Sequence, residues 1–137
     1  MHHRALLTAA IVLSGCSQTL STPVRASTSA NPEDTFACVR KQLGEIGYKQ
    51  SSVDFGDNRI NGIKIDTHSR RPDTQFRRIL NKLDIEVAAE SDGQTSIKVV
   101  PNTFAEYTTQ RGPTEVQEKS SEQVKADAQQ LLERCKS

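Results

Sequence analysis

Leu83-Asp84-Ile85-Glu86-Val87-Ala88-Ala89-Glu90-Ser91-Asp92-Gly93-Gln94-Thr95-Ser96-Ile97-Lys98-Val99 is the stretch on which the fold turns. Leu83, Ile85, Val87 and Ala89 alternate with polar residues, as do Ile97 and Val99, which is the period of a half-buried strand. Ser91-Asp92-Gly93 suits a three-residue hairpin loop with glycine in the left-handed position. That loop sets Glu90 opposite Gln94, hence Val87 opposite Ile97 and Ile85 opposite Val99. It also sets Glu86 opposite Lys98 on the other face, a favourable cross-strand charge pair. A two-residue loop would put Val87 against Lys98 and break the pattern.

Outward from this hairpin, residues 48–67 read as a second one. Val53 and Phe55 alternate on its first strand, Ile63 and Ile65 on its second. Gly56-Asp57-Asn58 is the favoured turn, with Asn61-Gly62 as the alternative. Before it, the spacing predicts a helix over 32–46. Asn31 caps, Pro32 fits the first turn, Glu33 and Asp34 suit the dipole, and Phe36, Val39, Leu43 and Ile46 share a face. Gly47 ends the helix and Tyr48 folds back on it. After Gly112-Pro113-Thr114, a closing helix is expected over 115–135, its stripe carrying Val124, Ala128, Leu131 and Cys135. The expected class is therefore α+β, in the order α-β-β-β-β-α. A four-stranded antiparallel sheet of two hairpins would carry both helices on one face. The other face, with Asp54, Lys64, Asp84, Glu86 and Lys98, should be wet.

The amino terminus has a different character. Arg4 precedes the apolar run Ala5–Leu13, and Leu13-Ser14-Gly15-Cys16 closes it. A core of about nine residues, roughly 14 Å as a helix, is too short to span a bilayer. These 16 residues resemble the signal peptide and lipobox of bacterial lipoproteins. The resemblance implies cleavage before Cys16, a diacylglyceryl thioether on Cys16, and attachment by two or three acyl chains. Ser17, standing where an Asp would retain a Gram-negative lipoprotein at the inner membrane, implies the outer membrane, facing the periplasm. The organisation expected is a signal at 1–15, the lipidated cysteine and a flexible Ser/Thr-rich tether at 16–30, and one small domain at 31–137.

Cleavage would reduce the 137 residues by 15 to 122 and the 18 basic residues to 17, equal to the 17 acidic ones. A neutral, evenly mixed chain argues against a nucleic-acid partner. Only His68 would survive of the three histidines, which leaves no metal site and no cofactor beyond the lipid. Cys38 and Cys135, an even pair in an oxidising compartment, are expected to form one disulfide that sets the two helices side by side.

The connection between the hairpins holds the densest charge. Arg70, Arg71, Arg77 and Arg78 could grip an anionic envelope component, since arginine pairs bidentately with phosphate and carboxylate. The plainer account, which we prefer, is a solvated loop with a short helix near 74–80 burying Phe76 and Leu80. Asp84 and Glu86 face one way on a strand, but Lys98 opposite suggests solubility rather than acid–base chemistry. His68 has no nucleophile at a telling spacing. Phe104 and Tyr107 read as edge-of-core residues. The sequence thus points to a membrane-anchored, non-enzymatic envelope lipoprotein with an interaction or accessory domain, whose partner is another envelope protein or an anionic envelope component. The alternative is a small ligand or lipid held in a groove between sheet and helices.

Overall fold

The computed structural model describes residues 19–136; the lipobox and Cys16 lie outside them. The elements are β1 (Val24–Thr28), α1 (Pro32–Glu45), β2 (Lys49–Asp54), β3 (Arg59–Asp66), β4 (Phe76–Ala89), β5 (Thr95–Thr109), β6 (Gly112–Glu118) and α2 (Glu122–Cys135). The fold is mostly β. It is a six-stranded antiparallel sheet with two helices, not the four-stranded α+β sheet the sequence suggested.

The central hairpin has the register its loop demands. Val87 pairs with Ile97, Ile85 with Val99 and Glu86 with Lys98, and Glu90 N donates to Gln94 O at 2.8 Å. Gly93 takes φ +82° in the loop. The strands of this hairpin run far past the apolar core, over 14 and 15 residues. That length is what the four-stranded expectation lacked, because β5 is long enough to hold two edge strands end to end. β1 pairs with Thr95–Val99 and β6 with Thr103–Thr109, while β4, β3 and β2 follow in order on the other side. Pro101 falls between the two edge strands. Counting from the hydrogen-bonded pair at Glu90 and Gln94, its missing N–H points away from β4 into that gap, so no ladder bond is lost. Its carbonyl points the same way and accepts from Ser120 Oγ at 2.7 Å.

Two expectations about segments fail for the same reason. Residues 112–118 were expected to open the closing helix or break before it, but they form β6 and α2 starts at Glu122. Ser121 is its cap, with Oγ accepting from Val124 N at 3.1 Å. The stretch expected to be a flexible tether, 17–30, contains β1, and just before it Leu20 O accepts from Ser120 N at 3.0 Å. Both strands are weakly apolar edges that gain their order from a distant partner rather than from their own composition.

α1 matches its sequence signals. Asn31 Oδ1 accepts from Asp34 N at 2.8 Å. At the other end Gly47, at φ +92°, allows Gly47 N to bond Gly44 O and Tyr48 N to bond Leu43 O, both at 3.1 Å. These two bonds satisfy carbonyls that the helix end would leave unpaired, and they carry Tyr48 into the core. The core lies between one sheet face and both helices. Ile60, Leu83, Ile85, Val87, Ile97 and Val99 meet Phe36, Val39, Leu43, Val124, Ala128 and Leu131 there. The Cys38–Cys135 disulfide joins the helices side by side, with Cα atoms 5.9 Å apart across 97 positions of sequence. Closing a loop of that size contributes up to about 4.7 kcal/mol in the chain-entropy view.

The first hairpin turns at Gly56-Asp57-Asn58, and Val53 lies on the core side opposite Ile60 as expected, yet the face read for β3 is reversed. Ile63 pairs with Lys82 and Ile65 with Leu80, so both isoleucines lie on the face away from the helices, and Ile65 is 45% exposed. The helix-side row of β3 is Ile60, Gly62 and Lys64. Lys64 is therefore not on the open face: its Nζ donates to Ile46 O at 3.0 Å beneath the end of α1. Phe55 sits in the turn rather than on the strand and is 63% exposed, edge-on to Phe36, with the Arg40 guanidinium 5.0 Å from its ring centre.

Candidate functional site

The helices fill one face of the sheet, so the open face is where a site has room. A groove of about 360 Å³ runs over it between residues 49–51 of β2, the start of β4 and the end of β5. Ile63, Ile65 and Leu80 form its apolar floor, and Arg78, Glu106 and Glu115 its polar wall. The face is thus apolar near the β3–β4 pairing and charged toward β6, not uniformly wet as the sequence suggested.

The charges of this wall are already matched. Arg78 Nε donates to Glu106 Oε1 at 3.1 Å, and Arg77 Nε lies 3.8 Å from the same oxygen. Lys82 Nζ is 2.7 Å from Glu115 Oε2 and 4.4 Å above the Phe104 ring. Glu106 is buried, and two guanidiniums on consecutive residues reach it because the ladder shifts register between Phe76 and Arg78. Chemically, such a wall offers hydrogen bonds and paired charge rather than a free cationic cradle.

The four arginines singled out in the sequence do not converge. Arg70 folds back on its own loop, with Nη1 donating to Thr67 O at 2.7 Å. Arg71 reaches across to the helix-side row and grips Glu118 with two bonds, at 2.6 and 2.5 Å, while donating to the Tyr107 hydroxyl at 3.0 Å. Its guanidinium also stacks 4.9 Å from the Phe76 ring centre, and Phe76 meets Tyr107 edge-on. The short helix expected near 74–80 is the start of β4, and Leu80 is buried from that strand. Arg71 therefore fastens the connection to the far end of the sheet. Its partner Glu118 is held below the usual carboxylate range chiefly by those bonds.

The remaining sequence candidates are structural. Asp66 Oδ1 accepts from His68 N at 2.8 Å and Oδ2 from Ser69 Oγ at 2.6 Å, so this carboxylate closes a turn and does not orient the imidazole. The Ser69 hydroxyl is the main reason its pKa lies low. Asp84 accepts from Asn102 Nδ2 at 3.0 Å and Glu86 lies 3.4 Å from Arg59. Partial burial raises the Asp84 pKa, against the pull of Lys82 and Asn102. The two carboxylates thus have separate partners. Among the described residues, no group of three or more His, Cys, Asp or Glu is placed to hold a metal ion.

One polar cluster escaped the sequence reading. Asp127, on the apolar side of α2, accepts from the Tyr48 hydroxyl at 2.8 Å and from Gln123 Nε2 at 2.8 Å, with Lys64 Nζ 3.5 Å away. Its signal was present: an acid three residues after Val124 and four before Leu131 stands among core positions. Comparison with family models and with curated proteins gives no match to this chain.

Proposed function

We propose that the protein is a lipid-anchored lipoprotein of a bacterial cell envelope whose globular part is a non-enzymatic interaction or accessory module. The observation that carries this reading is the Cys38–Cys135 disulfide. Such bonds persist in oxidising compartments, and export is what the Leu13-Ser14-Gly15-Cys16 motif implies. With Ser17 next, a source with two membranes would place the anchor in the outer one. A role as a module that contacts another envelope component is supported by the matched ion pairs of the open face and by the grooved floor beside them. The tight packing between sheet and helices, where Leu83, Val99, Val124 and Leu131 have next to no exposure, weighs against a ligand held there.

The anchor is tested by Cys16→Ala in the native host. Wild type should incorporate labelled palmitate and fractionate with membranes, and the variant should do neither. Membrane retention of the unlabelled variant would overturn the reading. A photo-crosslinking residue at Ile65, compared with one at Ala126 on the outer side of α2, tests which face meets a partner. Adducts from Ile65 alone are expected.

A further inference from the structure

We infer that the sheet edge formed by β1, β6 and the start of α2 faces the lipid surface, and that the β2 edge points away from it. This rests on the lipid anchor at Cys16 proposed above. Its basis is the point at which the chain enters the fold. Leu20 O accepts from Ser120 N at 3.0 Å, and the single Ser120 hydroxyl proton is shared between Pro101 O at 2.7 Å and Leu20 O at 3.1 Å. Docking therefore begins four residues after Cys16, where the sequence alone suggested a tether reaching to residue 30. Four residues span at most about 14 Å even when fully extended. A leash that short cannot let the domain turn over. The surface around Leu20 must lie against the headgroups to which the cysteine is joined.

The residues at that point suit a lipid interface. Leu20 is an exposed apolar side chain, and Val24 and Pro101 line a shallow cleft of about 220 Å³ beside it. Lys119 and Lys125 flank the same cleft, within reach of lipid phosphates, with Glu122 bonded to Lys125 at 2.6 Å. The sheet order then fixes what faces outward. Four inter-strand steps separate β1 from β2, about 19 Å, so β2 and the Phe55 turn lie on the far side of the domain from the bilayer. The Lys49, Gln50 and Ser51 end of the groove on the open face lies at this distal edge, while its Glu115 wall belongs to the membrane-side strand β6.

The test uses the full-length lipidated protein in vesicles of phosphatidylethanolamine and phosphatidylglycerol containing a nitroxide-headgroup lipid. A fluorophore is placed on Gln129→Cys, beside the Leu20 cleft, or on Asp57→Cys in the β2–β3 turn, with the native disulfide kept oxidised. With β1 and β2 about 19 Å apart across the sheet, the Gln129 site beside the β1 cleft should be quenched several-fold more strongly than the Asp57 site beyond β2. Inserting a long Gly-Ser linker between Gln18 and Thr19 should abolish the difference. Equal quenching in protein that floats with the vesicles and carries the mass of the lipid would overturn the orientation while leaving the anchor intact. Absence of lipid mass and of flotation would overturn both.

Discussion

The Tyr48 hydroxyl donates to Asp127 Oδ2 at 2.8 Å across 79 positions of sequence. This one bond joins the turn that ends α1 to the middle of α2. Lys64, reaching from β3 to Ile46 O and to Asp127, ties the sheet to the same point. Asp127 is only 4% exposed, so its charge is tolerable because tyrosine, glutamine and lysine all face it. The helices are thus fastened at two points, by the disulfide from the middle of α1 to the last residue of α2 and by a buried polar cluster from the end of α1 to Asp127.

Removing the Tyr48 hydroxyl should cost about 1–3 kcal/mol, because Asp127 loses a donor it cannot replace from water. Urea unfolding of Tyr48→Phe against wild type measures it. The pH dependence has a definite sign. Burial above all, with the hydrogen bond to Asp127 and its charge, raises the Tyr48 pKa well above the ordinary 10.0. The unfolded chain therefore releases this proton first. Stability from protonated Tyr48 is complete below that ordinary value and is lost progressively as pH rises above it toward the folded value. Tyr48→Phe should flatten this alkaline slope, and an unchanged slope would show that other groups carry it.

Gly62 occupies a core-facing position of β3 because Leu43 presses on it. A Cβ there would lie 3.0 Å from both Leu43 Cδ atoms and 3.1 Å from Tyr48 Cβ. Leu43 is itself enclosed, so Gly62→Ala should destabilise by about 1–3 kcal/mol. Gly44 in α1 has nothing within 4 Å of its would-be Cβ. Gly44→Ala should instead stabilise, by up to about 1 kcal/mol. Opposite shifts in the denaturation midpoints of these two variants are the expected result.

Gly62 also explains what the sequence could and could not disclose. The central register was legible because loop chemistry and apolar alternation agreed on one pairing, and the end of α1 because Gly47 and Tyr48 are local signals. On β3 the true core row is Ile60, Gly62 and Lys64, whose apolar period is broken by a glycine and a lysine. Ile63 and Ile65 offered a cleaner alternation and belong to the other face. β1 and β6 have almost no apolar period of their own, and pair with a strand made long by residues that look like connection. The arginines near 70 and 78 are neighbours in sequence only, since the chain passes from a loop into a bulged strand between them. Matched ion pairs across strands, which decide whether a charged site is free, have no sequence signature at that range.

Thr35 is 1% exposed in α1, and its Oγ1 has no hydrogen-bond partner. A buried hydroxyl left unpaired forfeits its hydration, and Thr35→Val removes it at nearly constant volume and similar helix propensity. The variant should be more stable, by something on the order of 1 kcal/mol. Thermal unfolding of the two proteins decides it, and a lower midpoint for Thr35→Val would reveal that the hydroxyl has a partner.

Arg71 is the only side chain of the Thr67–Gln75 connection that bonds β5 and β6 side chains together, through Tyr107 and Glu118. Both ends of the ion pair are about one-third exposed, so its effect on global stability should stay below about 1 kcal/mol. The effect should be local. In Arg71→Ala, Tyr107 and Phe76 lose their covering guanidinium, and the connection should be cut faster by trypsin at Arg70 than in wild type. Arg71→Lys keeps the charge but not the paired geometry, and should behave more like Arg71→Ala than like wild type. Acid should mimic both. The Glu118 pKa is lowered from 4.5, mainly by its bonds to Arg71, so the clasp holds above that value and is lost as pH falls through the lowered one. Hydrogen exchange at the Tyr107 and Glu118 amides should therefore rise at acid pH in wild type relative to the central hairpin, and should be raised already near neutrality in Arg71→Ala. Equal protection in the two proteins at neutral pH would show that the connection is held by its backbone turns alone.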